Sequence, residues 1–202
     1  FRGAQLARGD AEQAGRAALE ARLTGRVSVG LAPTTAAVLG LPLLRAMRER
    51  YPDVRLHMVE SLSGHLTHML NARQLDLAVL FDTDAARRWS VTPLLEEKLY
   101  LIRARAGLPA TAGRTVAMAD LAKTPLILPT GPHGLRSTLD AAFARAGIRP
   151  VLAAEIDSLA LLMDAVDAGL GATLQPGAAI ARLNGSPLVV RQLADAAASR
   201  TN

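Results

Sequence analysis

The sequence predicts an α/β fold of two similar lobes with a cleft between them. Residues 27–81 read strand, helix, strand, helix, strand, and residues 126–175 repeat that order. The openings also match in kind: VSVGLAPTTAAVLGLPLLRAMRERYPDVRLHMVES (27–61) against LILPTGPHGLRSTLDAAFARAGIRPVLAAEIDS (126–158). Each passes from an apolar strand through a Thr/Pro/Gly turn into a helix, then a short turn holding Pro, a second strand and a terminal Ser. Strands alternating with helices imply right-handed βαβ units. Two such blocks in 202 residues leave each lobe long enough to hold its own core.

Composition excludes several classes. Half the residues are hydrophobic, which rules out a disordered chain, while aromatics are only 3%. No apolar run reaches the length of a membrane helix, about 18–20 residues, and the opening FRGAQLARGDAEQ is too polar for a secretory signal. Residue 1 is not Met, so the chain reads as cut from something longer. The absence of cysteine excludes disulfides, thiolate metal sites and cysteine nucleophiles, and fits a cytoplasmic protein. The net charge of +5 is scattered, with no basic run to act as a nucleic-acid footprint.

The elements follow in order. Residues 1–24 form a helix in which Ala4, Ala7, Ala11, Ala14, Ala18 and Ala21 recur at heptad spacing, a seam that lets another helix approach closely. The same pattern also fits an Ala-rich helix facing solvent. Residues 27–31 are a buried strand. Pro33, Thr34 and Thr35 form a turn capping the next helix, whose apolar face is Leu43, Leu44, Met47 and Tyr51, with Pro42 in or near the first turn of its main stretch or kinking it. Residues 54–60 are a strand, Ser61–Gly64 opens a second helix, and residues 75–81 (LDLAVLF) are a short buried strand. Residues 91–103 are extended and lie between the repeats. In the second block, residues 126–128 are a strand, 129–134 its turn, and Gly147 and Gly169 close the two helices. Strands follow at 172–174 and 188–193.

Ligands of open α/β sheets bind beyond the carboxyl ends of strands, at helix N-termini that favour anions. Four such places stand out: 33–35, 61–64, 130–134 and 157–158. Any single hydroxyl there reads more readily as a helix cap than as a ligand contact, and the case for a site rests on their repeating at matching positions in both lobes. Catalysis finds little support. Ser61-Leu-Ser-Gly is not a nucleophile elbow, Gly131-Pro-His-Gly134 lacks the lysine and spacing of a P-loop, and Glu60, Asp82, Glu96 and Glu97 form no acid/base pair. His65 and His68 share a helix face without a third ligand, so neither a metal nor another cofactor is expected. His133 differs, because its turn faces the cleft.

The chain resembles the effector-binding domain of LysR-type bacterial transcription regulators. The resemblance rests on GRVSVGLAPTTA after a helix, LPLLRAMRERYPDVRL, LDLAVLF, PLLEEKLYLI, TPLILPTG and GLGATLQP, in that order from residue 25 onward. It implies two Rossmann-like lobes joined by two crossing strands, as in type II periplasmic binding proteins, preceded by a linker helix. It implies a small-molecule co-inducer in the cleft and homodimers or homotetramers. Promoter DNA would be bound only through a winged helix-turn-helix that is not in this chain. The expected division is a linker and dimerisation helix at 1–24, a first lobe at 25–100, a second lobe at 101–193, and the start of a return crossover at 194–202. On that division the C-terminal part of the first lobe is missing, which would expose apolar surface. The matching ligand contacts are Thr34, Thr35, Ser63, Gly64, Thr130, Gly131 and His133, with Phe81 and Gln175 as further candidates. The ligand expected is a small carboxylate or inorganic anion. The rival readings are a free solute-binding protein of a transport system, which would not need the alanine helix, and an enzyme of related fold.

Overall fold

A computed structural model describes residues 23–81, 89–105, 113–131, 133–181, 183, 188–194 and 199–201. The alanine seam at 1–22 lies outside the described residues.

The first block contains strand β1 (Gly25–Leu31), helix α1 (Pro33–Arg50), β2 (Val54–Glu60), α2 (Ser63–Asn71) and β3 (Leu77–Val79). The three strands are parallel in the order β2-β1-β3. Ser28 and Asp76 clamp the entry to β3: the Ser28 amide and hydroxyl both donate to one Asp76 oxygen, at 2.7 and 2.6 Å. The Asp76 amide donates back to the Ser28 hydroxyl at 3.1 Å. These bonds hold the Asp76 carboxyl below the usual carboxylate range. Gly30 lets α2 seat on β1, since a Cβ there would lie 2.7 Å from Leu75 and 2.8 Å from Leu66.

The second block repeats the plan with β6 (Pro125–Leu128), α3 (Gly134–Arg145), β7 (Val151–Glu155), α4 (Leu159–Asp167) and β8 (Thr173–Pro176). Again β6 runs parallel to β7, and a parallel bridge from Leu126 to Ala172 ties it to the chain entering β8. The order β7-β6-β8 thus mirrors β2-β1-β3. Between the blocks run β4 (Glu96–Ala104), β5 (Thr115–Val116) and a 3-10 turn (Met118–Leu121). After them come a single-turn helix α5 (Gly177–Ile180), β9 (Leu188–Leu193) and β10 (Ser199–Thr201). Antiparallel pairing puts β8 and β9 against β4, and β10 pairs with its opening residues Glu96, Glu97 and Lys98. β4 and β10 therefore run side by side in opposite directions.

Period-two alternation builds the second core. Leu126 and Leu128 of β6, with Leu99 and Leu101 of β4, face α3 through Leu135, Leu139 and Phe143. Ile127 and Ile102 point the other way, onto Leu159, Leu162, Met163 and Val166 of α4. Both faces of the sheet are covered, which is why these strands read as unbroken apolar runs. The two helices end where their glycines adopt positive φ, +68° at Gly147 and +76° at Gly169.

Helix α1 departs from expectation. Pro33, Thr34 and Thr35 are its first turn rather than a capping turn before it, and Pro42 lies in its interior. Proline at the first helical position wastes no donor, so Pro33 starts the helix and Pro42 is the tolerated interruption. Leu44 and Tyr51 of its expected apolar face are exposed, as are Val38, Leu39 and Leu41, the last at 57%. Among the described residues, no strand pairs with the outer edge of β3.

Candidate ligand-binding cleft

Both blocks point the carboxyl ends of their strands at the same place, and the cleft forms there. Three helices open onto it, α1 after β1, α2 after β2 and α3 after β6, with Ala32, Leu62 and His133 as their N-caps. None of the three carries a side-chain cap. Their first-turn amides keep the partial positive charge of an uncapped N-terminus. Ser158, which opens α4, does behave as a cap, accepting from the Leu161 amide at 3.4 Å.

The cavity at this junction is small, about 40 Å³. Ala32, Pro33, Leu62, Leu135, Ile156, Leu159 and Leu162 give it apolar walls. Of the residues expected as contacts, Thr34, Ser63, Phe81, His133 and Gln175 line it, and all five are buried. Thr35 is buried beside them without lining the cavity, and Gly64, Thr130 and Gly131 stand outside the lining.

Thr130 has a different task. Its amide donates to Asp157 Oδ1 at 2.8 Å, and its hydroxyl reaches both carboxylate oxygens at 2.9 and 3.0 Å. Partial burial pulls the Asp157 carboxyl upward, but these bonds and the nearby His133 hold it below its ordinary value. Arg136 braces the same turn, donating to the Pro129 carbonyl at 2.9 Å while pairing with Asp140 at 2.9 Å and Glu155 at 2.7 Å. Asp157 lines the cavity, and only its position after β7, level with the other strand ends, signalled it in the sequence. The apolar wall from Ile156, Leu159 and Leu162 carried no such signal, because these residues also pack the core beneath.

His133 is the most distinctive wall residue. It is 4% exposed, and its Nδ1 is buried with no hydrogen-bond partner among the described residues. Its ring meets that of His65 edge-on, with centroids 5.5 Å apart. Burial pushes its pKa below the ordinary 6.5, Asp157 pulls it back up, and His65 adds to the downward push. The lobes also meet here by backbone: a Cβ on Gly134 would lie 2.8 Å from the Phe81 carbonyl oxygen. Gln175 donates to the Thr173 hydroxyl at 3.2 Å. Among the described residues, no cluster of three His, Cys, Asp or Glu could hold a metal ion, and no helix is long and apolar enough to cross a membrane.

A family model described as the LysR substrate binding domain matches residues 20–201, and the chain belongs to that family. The nitrogen assimilation regulatory protein nac of Klebsiella aerogenes is 35% identical over 165 residues, covering 81% of this chain and 53% of that protein. The HTH-type transcriptional regulator BbuR of Bordetella bronchiseptica is 34% identical over 157 residues, covering 75% and 46%. The chain spans about half the length of these curated relatives. Among solved structures, a variant of Corynebacterium glutamicum OxyR with hydrogen peroxide bound superposes with a TM-score of 0.75 at 26% identity, over 100% of this chain and 64% of that one. The effector binding domain of QuiR in complex with shikimate superposes with a TM-score of 0.79 at 18% identity, over 89% and 85%. The fold is that of the LysR effector-binding domains, two lobes of the type II periplasmic-binding-protein kind.

Proposed function

We propose that this chain is the ligand-sensing part of a LysR-type transcription regulator, and that a small anionic effector binds in the cleft between its lobes. One observation carries the reading: three uncapped helix N-termini from both blocks converge with the buried side chains of Thr34, Ser63, His133 and Gln175 on one cavity. A cavity walled by two lobes changes shape when the lobes rotate, so a ligand that prefers one lobe angle shifts the population toward it. Thr34, Ser63, His133, Phe81 and Gln175 form the contact set of this reading, with Thr35 and Gly64 supporting them. Thr130 and Gly131 shape the turn.

The rest of the reading is regional. Residues 1–24 serve as a linker helix that pairs with another copy through its alanine seam, and residues 194–202 begin the return between lobes. DNA would be bound by a separate helix-turn-helix, in a cytoplasmic protein with no catalytic role. A transport receptor of the same fold is the rival, disfavoured by the family to which the chain belongs. Thermal-shift screening of aromatic and aliphatic carboxylates and inorganic anions tests the proposal. A stabilising hit whose affinity falls in Thr34→Ala and Ser63→Ala variants supports it, and a hit indifferent to both moves the site elsewhere.

A further inference from the structure

Burying an imidazole nitrogen without a partner costs free energy, so such a group calls for an explanation, and a ligand that supplies the partner is one. His133 Nδ1 is that group here. It is the N-cap residue of α3, yet its side chain caps nothing. The ring lines the cavity onto which α1 and α2 also open their uncapped N-termini. Two kinds of charged or titratable group face it from the elements packed around it. Asp157 comes from the turn after β7 and His65 from α2. On its own helix, Arg136 is turned away into Pro129, Asp140 and Glu155. Asp157 is held as a carboxylate by the amide and hydroxyl of Thr130, and its charge pulls the His133 pKa upward against burial.

We propose that the cleft takes its effector as an anion together with one proton, the anion seated against the His133 imidazole and the proton taken from solvent onto that ring. This rests on the reading of the cleft as the effector site. The physical case is that of a group pulled two ways. In the empty cavity, desolvation and the neighbouring His65 keep His133 neutral around pH 7. An anion at the convergent N-termini adds a negative charge beside the ring and accepts a hydrogen bond from it, and both favour the imidazolium. Once protonated, the ring is a donor at both nitrogens, and the anion accepts from the one that faces it. The charge balance depends on the anion: a monoanion such as benzoate entering with one proton buries a neutral sum, and sulfate with one proton leaves one negative charge facing the uncapped N-termini. A site of this kind selects acids over neutral or cationic analogues of the same shape. It also binds them more tightly as pH falls toward the pKa of the empty site.

The test is calorimetric titration of the chain with two probes, sulfate and benzoate, neither of which titrates between about pH 6 and pH 8.5. Two amine buffers of different ionisation enthalpy report the protons exchanged. The proposal expects uptake approaching one proton per bound anion near neutral pH, and an affinity that rises on the order of tenfold per pH unit on acidification. It expects His133→Asn to abolish both the uptake and the pH dependence. His65→Asn is the second variant, at an exposed position, and should move the window of pH dependence upward by relieving His133 of a like charge. If the probes bind, and Ser63→Ala weakens them, but no proton is taken up, the cleft reading stands and this proposal falls. If neither probe binds, or binding ignores Ser63→Ala and His133→Asn alike, both fall together.

Discussion

At the scale of single residues, the site is held by short polar clamps that the sequence hides. Thr130 looked like a ligand contact because its turn sits at a strand end, yet its amide and hydroxyl are taken by Asp157, 27 residues away. Such a pairing cannot be read locally, since it depends on how β6 and β7 come into register. Thr130→Val keeps the amide bond and removes the hydroxyl, so it should destabilise the chain by about 1 kcal/mol in urea unfolding. His133 makes a prediction of opposite character. Its folded pKa is depressed, so the unfolded chain binds more protons over the window from its ordinary 6.5 down to the folded value. Its contribution is complete above that window and is lost as pH falls through it. Urea midpoints for the chain and for His133→Asn, measured from neutral to mildly acidic pH, should therefore differ in slope, with the variant flatter.

At the scale of elements, most strands were legible and the apolar face of α1 was not. Leu126–Leu128 announces itself because a parallel strand covered on both sides needs no polar alternation, whereas the run at 75–81, expected as a buried strand, pairs only over Leu77–Val79 and leaves Leu77 60% exposed. Gly147 and Gly169 mark helix ends because only positive φ closes those turns cheaply. The apolar face of α1 misled for a physical reason. Its Leu and Val residues are spread around the helix, so periodicity could not say which of them would be covered. Gly134 matters at this scale too. It opens α3 directly under the last residue of the first block's buried run, Phe81, and its missing side chain sets how closely the lobes meet. Gly134→Ala should push the Phe81 carbonyl away, at a cost of about 1–3 kcal/mol in stability or as a wider lobe angle. Denaturation and small-angle scattering read the two outcomes separately.

At the scale of the whole molecule, the repeat seen in the sequence is a repeat of topology, β2-β1-β3 against β7-β6-β8. Strand β4, antiparallel to β10, is joined to the second block by its pairing with β8. Repetition explains why the cleft could be placed from sequence: matching blocks put matching helix N-termini at matching strand ends. It does not explain the chemistry of the walls, which comes from residues such as Ile156 and Asp157 that belong to one block only. The alanine seam belongs to this scale as well. If it pairs two copies, replacing Ala11 and Ala14 with Glu should lower the mass seen in analytical ultracentrifugation, and an unchanged mass would contradict the pairing. The central claim, that the interlobe cavity is the effector site, is met most directly by one measurement. It is the dissociation constant of the best thermal-shift ligand for the chain and for a Thr34→Ala, Ser63→Ala double variant. The account predicts a loss of at least about tenfold, the worth of one charge-assisted hydrogen bond, whereas equal constants for the two proteins would contradict it.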